Sequence, residues 1–91
     1  MTNKIFHPYT PFSAIEQGFP NIVRGEGIHL FDDKENKYVD IVSSWWACAL
    51  GHSHPKVVKA IQEQAGILQH SITGNLTHPN VLKLAERLAG L

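Results

Sequence analysis

The chain has 91 residues, 43% of them apolar and 18% charged, and its eight basic and eight acidic side chains cancel at neutral pH. This is a globular composition rather than a disordered one, and with no run of like charge longer than two it offers neither a nucleic-acid footprint nor a membrane-surface patch. A chain of this length buries only about 60–65% of its extended surface, so it amounts to at most one small domain and is marginal on its own.

The start, Met1 to His7, lacks the apolar core of a signal peptide, and the longest apolar run, Trp45 to Leu50, is far too short for a membrane span. The single cysteine, Cys48, cannot staple the chain and points to a reducing, cytoplasmic setting. Residues 1–20 read as an ordered arm. In it, His7-Pro8-Tyr9-Thr10-Pro11-Phe12 brackets a tyrosine with prolines and restricts the backbone that carries the phenol. A helical turn over Ser13 to Phe19 is closed by Gly18-Phe19-Pro20.

Residues 21–91 read as a meander followed by two helices, giving an α+β fold class. Strands are expected over Asn21 to Arg24, Ile28 to Phe31 and Tyr38 to Val42, joined by Gly25-Glu26-Gly27 and by the polar turn Asp32 to Asn36. Three short antiparallel strands hold together only with a cover over their apolar face. The expected cover is the next helix, opened by Pro55, whose Val57, Val58, Ile61, Ala65 and Leu68 share one side. A polar link containing Gly74 follows, then Thr77 as N-cap and Pro79 in the first turn of a second helix striped by Val81, Leu84, Ala85 and Leu88. The end at Gly90-Leu91 reads as a helix C-cap or, coming abruptly after a single helix, as a cut.

The unusual chemistry is concentrated between Ser43 and Pro55, which holds both tryptophans, the cysteine and two of six histidines. Adjacent tryptophans on a regular strand leave on opposite faces, so one of them is available to a ligand. An aromatic shelf of that kind suits a flat or cationic small molecule, although core or interface packing is the commoner role of a tryptophan. His52-Ser53-His54 lacks a third metal ligand, and its role is read as local, at the helix start. Cys48 lies in an apolar run that does not favour a thiolate, and Asp32, Asp33 and Asp40 form no evident acid–base pair. The residues alone therefore give no catalytic set, no cofactor-binding residue and no metal site.

The order of motifs adds more. His7-Pro8-Tyr9-Thr10, Gly25-Glu26-Gly27, Leu30-Phe31-Asp32, Tyr38-Val39-Asp40, Ser43-Ser44-Trp45-Trp46, Gly51-His52-Ser53-His54-Pro55 and Thr77-His78 resemble the amino-terminal part of a class III aminotransferase. Within that family they are most similar to the branch that aminates 8-amino-7-oxononanoate in biotin biosynthesis. The resemblance implies a fragment of a longer, two-domain, pyridoxal 5'-phosphate-dependent enzyme of fold type I, homodimeric when complete. The chain would supply the amino-terminal part of its small domain. It implies that the cofactor lysine and phosphate site lie in later segments, so the fragment alone is expected to be inactive. It also implies substrate-binding roles for Tyr9 and Trp45, with S-adenosylmethionine as the favoured donor and Trp46 structural. Two departures bear on local backbone. Glu35 stands where the family has a turn glycine, with Asn36 expected to supply the left-handed residue, and Ile41 replaces a glycine before the paired serines. A class III aminotransferase acting on another amine and a non-catalytic binding or interaction module remain as alternatives.

Overall fold

The computed structural model describes residues 4–91; Met1 to Asn3 of the arm and of the leader reading lie outside the described residues. The chain divides into two compact units, the first running to His54 and the second from Pro55 to Leu91.

In the first unit the arm leads into a short helix, Phe12–Gln17, which ends at Gly18, and His7 stacks at a tilt on Phe19 with ring centroids 4.9 Å apart. The predicted meander is present as β1 (Ile22–Glu26), β2 (His29–Asp32) and β3 (Lys37–Val39), antiparallel in the order β1-β2-β3. The strand limits differ from the expected ones. Gly25 and Glu26 belong to β1, and the reversal falls on Gly27-Ile28, where Gly27 supplies a φ of +57°. The third strand stops at Val39, and the amide of Asp40 still donates to the Ile28 carbonyl at 2.8 Å, in the same register as the His29–Val39 pair.

The register between β1 and β2 shifts between Ile22 and Arg24, leaving Val23 as an extra residue in β1. Beyond this irregularity Arg24 faces Phe31, and its guanidinium carbon sits 3.5 Å from that ring's centroid. A cation over an aromatic face at an exposed site stabilises by about 0.5–1 kcal/mol.

The polar turn after β2 is built around Asp32, which is only 5% exposed. Its Oδ1 accepts from the amides of Lys34 (2.9 Å) and Asn36 (2.8 Å), and its Oδ2 from the Asn36 side chain and the Tyr38 hydroxyl, both at 2.9 Å. The Asn36 side-chain bond is the largest of the influences that hold this carboxyl down to about 2. The same contact, seen from the phenol, raises the Tyr38 pKa. The left-handed residue of the turn is Glu35 itself, at φ +65°, and not Asn36 as expected. Asn36 is committed to Asp32 through both its amide and its side chain, so the reversal falls one residue earlier.

In the second unit the two predicted amphipathic helices run over Pro55–Ala65 and Pro79–Ala89. The second is capped by His78 rather than Thr77: His78 has the extended backbone of an N-cap, and its Nδ1 accepts from the Val81 amide at 3.4 Å. Asn80 donates through its side chain to Gln64 Oε1 at 2.9 Å, linking the two helices.

Among the described residues no apolar side chain is buried; Ile22 and Val39 of the sheet and Val57, Val58 and Ile61 of the helix all remain exposed. What order the first unit has comes from ladder hydrogen bonds and from buried polar groups such as Asp32, not from an apolar core.

Candidate functional site

The segment expected to present a tryptophan from a strand takes another form. Val42 is followed by one left-handed helical turn, Ser43–Trp46, in which all four residues have φ between +47° and +66°. Amides four residues on close it, with Trp46 donating to the Val42 carbonyl at 2.8 Å and Ala47 to that of Ser43 at 2.9 Å. Left-handed helical backbone costs an L-residue about 1–2 kcal/mol, so four in succession without a glycine need support from their surroundings.

That support is polar. The Asp40 carboxylate, with a side chain only 7% exposed, accepts from Ser44 Oγ at 2.9 Å and pairs with His52 Nε2 at 2.6 Å. The backbone amide of Ser44 is the largest influence on this carboxyl, followed by the His52 ring, and together they hold its pKa down to about 2. Asp40 is therefore a fixed negative acceptor at the start of the turn.

His52 is placed by the backbone. It forms an antiparallel bridge with Gly27, the Gly27 amide donating to the His52 carbonyl at 3.0 Å and the His52 amide to the Gly27 carbonyl at 2.8 Å. This brings its side chain against Gly25, where a Cβ would stand 2.7 Å from the His52 Cβ. The Gly25-Glu26-Gly27 motif thus has two uses: Gly27 turns the chain, and the bare Cα of Gly25 leaves room for His52.

The product of this scaffold is the placement of Trp45. Its ring centroid lies 5.8 Å from that of Tyr9, with the planes inclined by 46°, within the range of favourable tilted aromatic pairs. Tyr9 comes from the proline-bracketed arm at φ +54°, the Thr10 hydroxyl donating to the Pro8 carbonyl at 3.0 Å beside it. Both rings remain open to solvent, Tyr9 at 93% and Trp45 at 60% exposure. The two residues singled out in the sequence therefore meet, and each keeps surface for a third group. Trp46, expected to be structural, is exposed, and Cys48 is half-buried with its amide donating to the Ser43 carbonyl. The Asp40–His52 pair was not foreseen. Tyr38-Val39-Asp40 and Gly51-His52 are separate motifs in sequence, and they meet at the first reversal, where Asp40 is bonded to Ile28 and His52 is bridged to Gly27.

Comparison with known proteins agrees with this architecture. Residues 13–91 match the model of the family described as aminotransferase class-III, and the chain belongs to that family. It is similar to the adenosylmethionine-8-amino-7-oxononanoate aminotransferase of Methanocaldococcus jannaschii, whose crystal structure superposes with a TM-score of 0.89 at 36% identity over 96% of this chain and 20% of that one. An omega transaminase from Pseudomonas jessenii in complex with PMP superposes with a TM-score of 0.85 at 32% identity, again over 96% and 20% of the two chains. The acetylornithine aminotransferase of Nitrosomonas europaea is 44% identical over 70 residues, which are 76% of this chain and 17% of that protein. The chain thus spans about a fifth of the length of the relatives it matches. The meander and helices correspond to the amino-terminal part of the fold-type I arrangement those enzymes share.

Proposed function

We propose that this chain is the amino-terminal, substrate-facing part of a cytoplasmic, homodimeric aminotransferase that transfers an amino group from S-adenosylmethionine to 8-amino-7-oxononanoate, giving 7,8-diaminononanoate. The observation that carries the reading is the 5.8 Å approach of Tyr9 to Trp45, two exposed rings delivered by segments far apart in the chain. A tilted aromatic pair with free faces can pack the apolar carbon chain of such an acceptor, and its π surface can take the cationic sulfonium and the adenine of such a donor. The likeness to the Methanocaldococcus jannaschii enzyme, which carries those compounds in its name, supports the same choice.

The family's cofactor is pyridoxal 5'-phosphate, and the residues described here do not make a site for it. Every described lysine is exposed on the surface. The depression lined by Gly27, Asp40, Ser43, Gly51 and His52 is bounded by a carboxylate held ionised, which opposes a phosphate. In such enzymes the bound cofactor supplies the electron sink for moving an amino group, with the protein giving binding and orientation. This segment's share is the orientation of substrate by Tyr9 and Trp45.

A second reading is a class III aminotransferase for another amine, favoured by the 44% identity to an acetylornithine aminotransferase. The full-length protein, loaded with cofactor and given S-adenosylmethionine and 8-amino-7-oxononanoate, is expected to form 7,8-diaminononanoate, detected by mass. Turnover of N-acetylornithine with none of the diamine formed would select the second reading instead.

A further inference from the structure

Four successive left-handed residues are a costly way to present one indole, and the groups that hold them are specific. We propose that Asp40, Ser44 and His52 form a polar clasp that fixes the left-handed turn Ser43–Trp46 and so sets the angle at which Trp45 meets the amino acceptor. They are positioning residues, outside the chemistry itself. The inference rests on the acceptor-binding reading of Trp45.

Three observations carry it. One carboxylate oxygen, Asp40 Oδ2, receives both the Ser44 hydroxyl at 2.9 Å and the His52 ring at 2.6 Å, so the turn and the loop after it share a single anchor. The anchor is itself fixed, since Asp40 donates its amide to Ile28 and His52 is bridged to Gly27, both at the first reversal of the meander. The pair is also sheltered, with side-chain exposures of 7% and 13%, so that water competes poorly for these hydrogen bonds. Without the clasp, only the turn's own backbone hydrogen bonds oppose a return of Ser43, Ser44, Trp45 and Trp46 to β or right-handed backbone, which is lower in energy. Relaxation at those positions would swing the indole away from Tyr9.

The test uses the full-length holoenzyme carrying Ser44→Ala, Asp40→Asn, His52→Ala or His52→Gln, alone and combined with Trp45→Ala. Ser44 is exposed, so Ser44→Ala keeps the test open should Asp40→Asn fail to fold. We expect Ser44→Ala and Asp40→Asn each to raise KM for 8-amino-7-oxononanoate about tenfold with little change in kcat, as loss of binding shared by the ground and transition states does. His52→Gln, which retains a donor, should recover most of what His52→Ala loses. In the Trp45→Ala background none of these changes should raise KM further, because the residue they position is gone. Additive effects on that background would overturn the clasp. So would a crystal structure of Asp40→Asn in which residues 43–46 keep their positive φ and Trp45 its distance from Tyr9. If Trp45→Ala by itself leaves KM unchanged, the acceptor-binding reading falls and this inference with it, an outcome distinct from an undisturbed turn.

Discussion

The rings of Tyr9 and Trp45 stand 5.8 Å apart, although one comes from the arm before the meander and the other from the turn after it. Both side chains leave backbone in the left-handed region, Tyr9 at φ +54° and Trp45 at φ +61°. Two strained positions converging on one contact are better explained by a demand on geometry than by local preference.

The close packing of His52 on Gly25 gives a first expectation. Gly25→Ala places a Cβ 2.7 Å from the His52 Cβ and 2.9 Å from its Cγ, and His52 cannot retreat without opening its bridge to Gly27. Overpacking of this kind destabilises by about 1–3 kcal/mol. The denaturation midpoint of the full-length Gly25→Ala protein should fall accordingly. An unchanged midpoint would show that the loop carrying His52 moves freely.

Glu35 provides a test of backbone strain in the turn after β2. At φ +65° it occupies a conformation that costs an L-residue about 1–2 kcal/mol, and glycine would return part of this as added freedom of the unfolded chain. Glu35→Gly is therefore expected to leave stability unchanged or raise it by up to about 1 kcal/mol, while Glu35→Val lowers it. Thermal unfolding of the two variants side by side checks the order, and a more stable valine variant would contradict it.

Acid stability follows from the two held carboxylates. Asp32 and Asp40 each titrate at about 2 in the folded chain against an ordinary value of 3.8. The unfolded state thus binds protons more readily. The stability these groups contribute is complete above the ordinary value and is lost as pH falls from about 4 through about 2. Denaturant unfolding of Asp32→Asn across that window should show a flatter loss than the parent, since asparagine can still accept from the Lys34 and Asn36 amides but no longer titrates. Parallel curves for parent and variant would contradict the assignment.

The meander and the two helices were legible because their signals are local: short apolar runs between turn residues, and stripes such as Val57, Val58 and Ile61 after Pro55. What was not legible depends on contacts between distant residues. Ser43-Ser44-Trp45-Trp46 contains no glycine, so nothing in it announces a left-handed turn; that conformation is imposed by Asp40, through bonds to Ser44 and His52. Glu35 is left-handed because Asn36 is engaged by Asp32, a choice that residue preferences at the two positions do not reveal. His78 displaces Thr77 as cap through a ring nitrogen that the usual N-cap preferences overlook. The pairing of Tyr9 with Trp45 was foreseeable only through the family resemblance.

Tyr9 and Trp45 are expected to act together on the acceptor. The decisive measurement is a double-mutant cycle on the affinity of the full-length, cofactor-loaded protein for 8-amino-7-oxononanoate, with Tyr9→Ala, Trp45→Ala and the pair. Each single change should weaken binding, and the double change should weaken it by less than their sum, with a coupling of about 0.5–1.5 kcal/mol as expected for an aromatic pair. Undiminished affinity in both single variants would contradict the account.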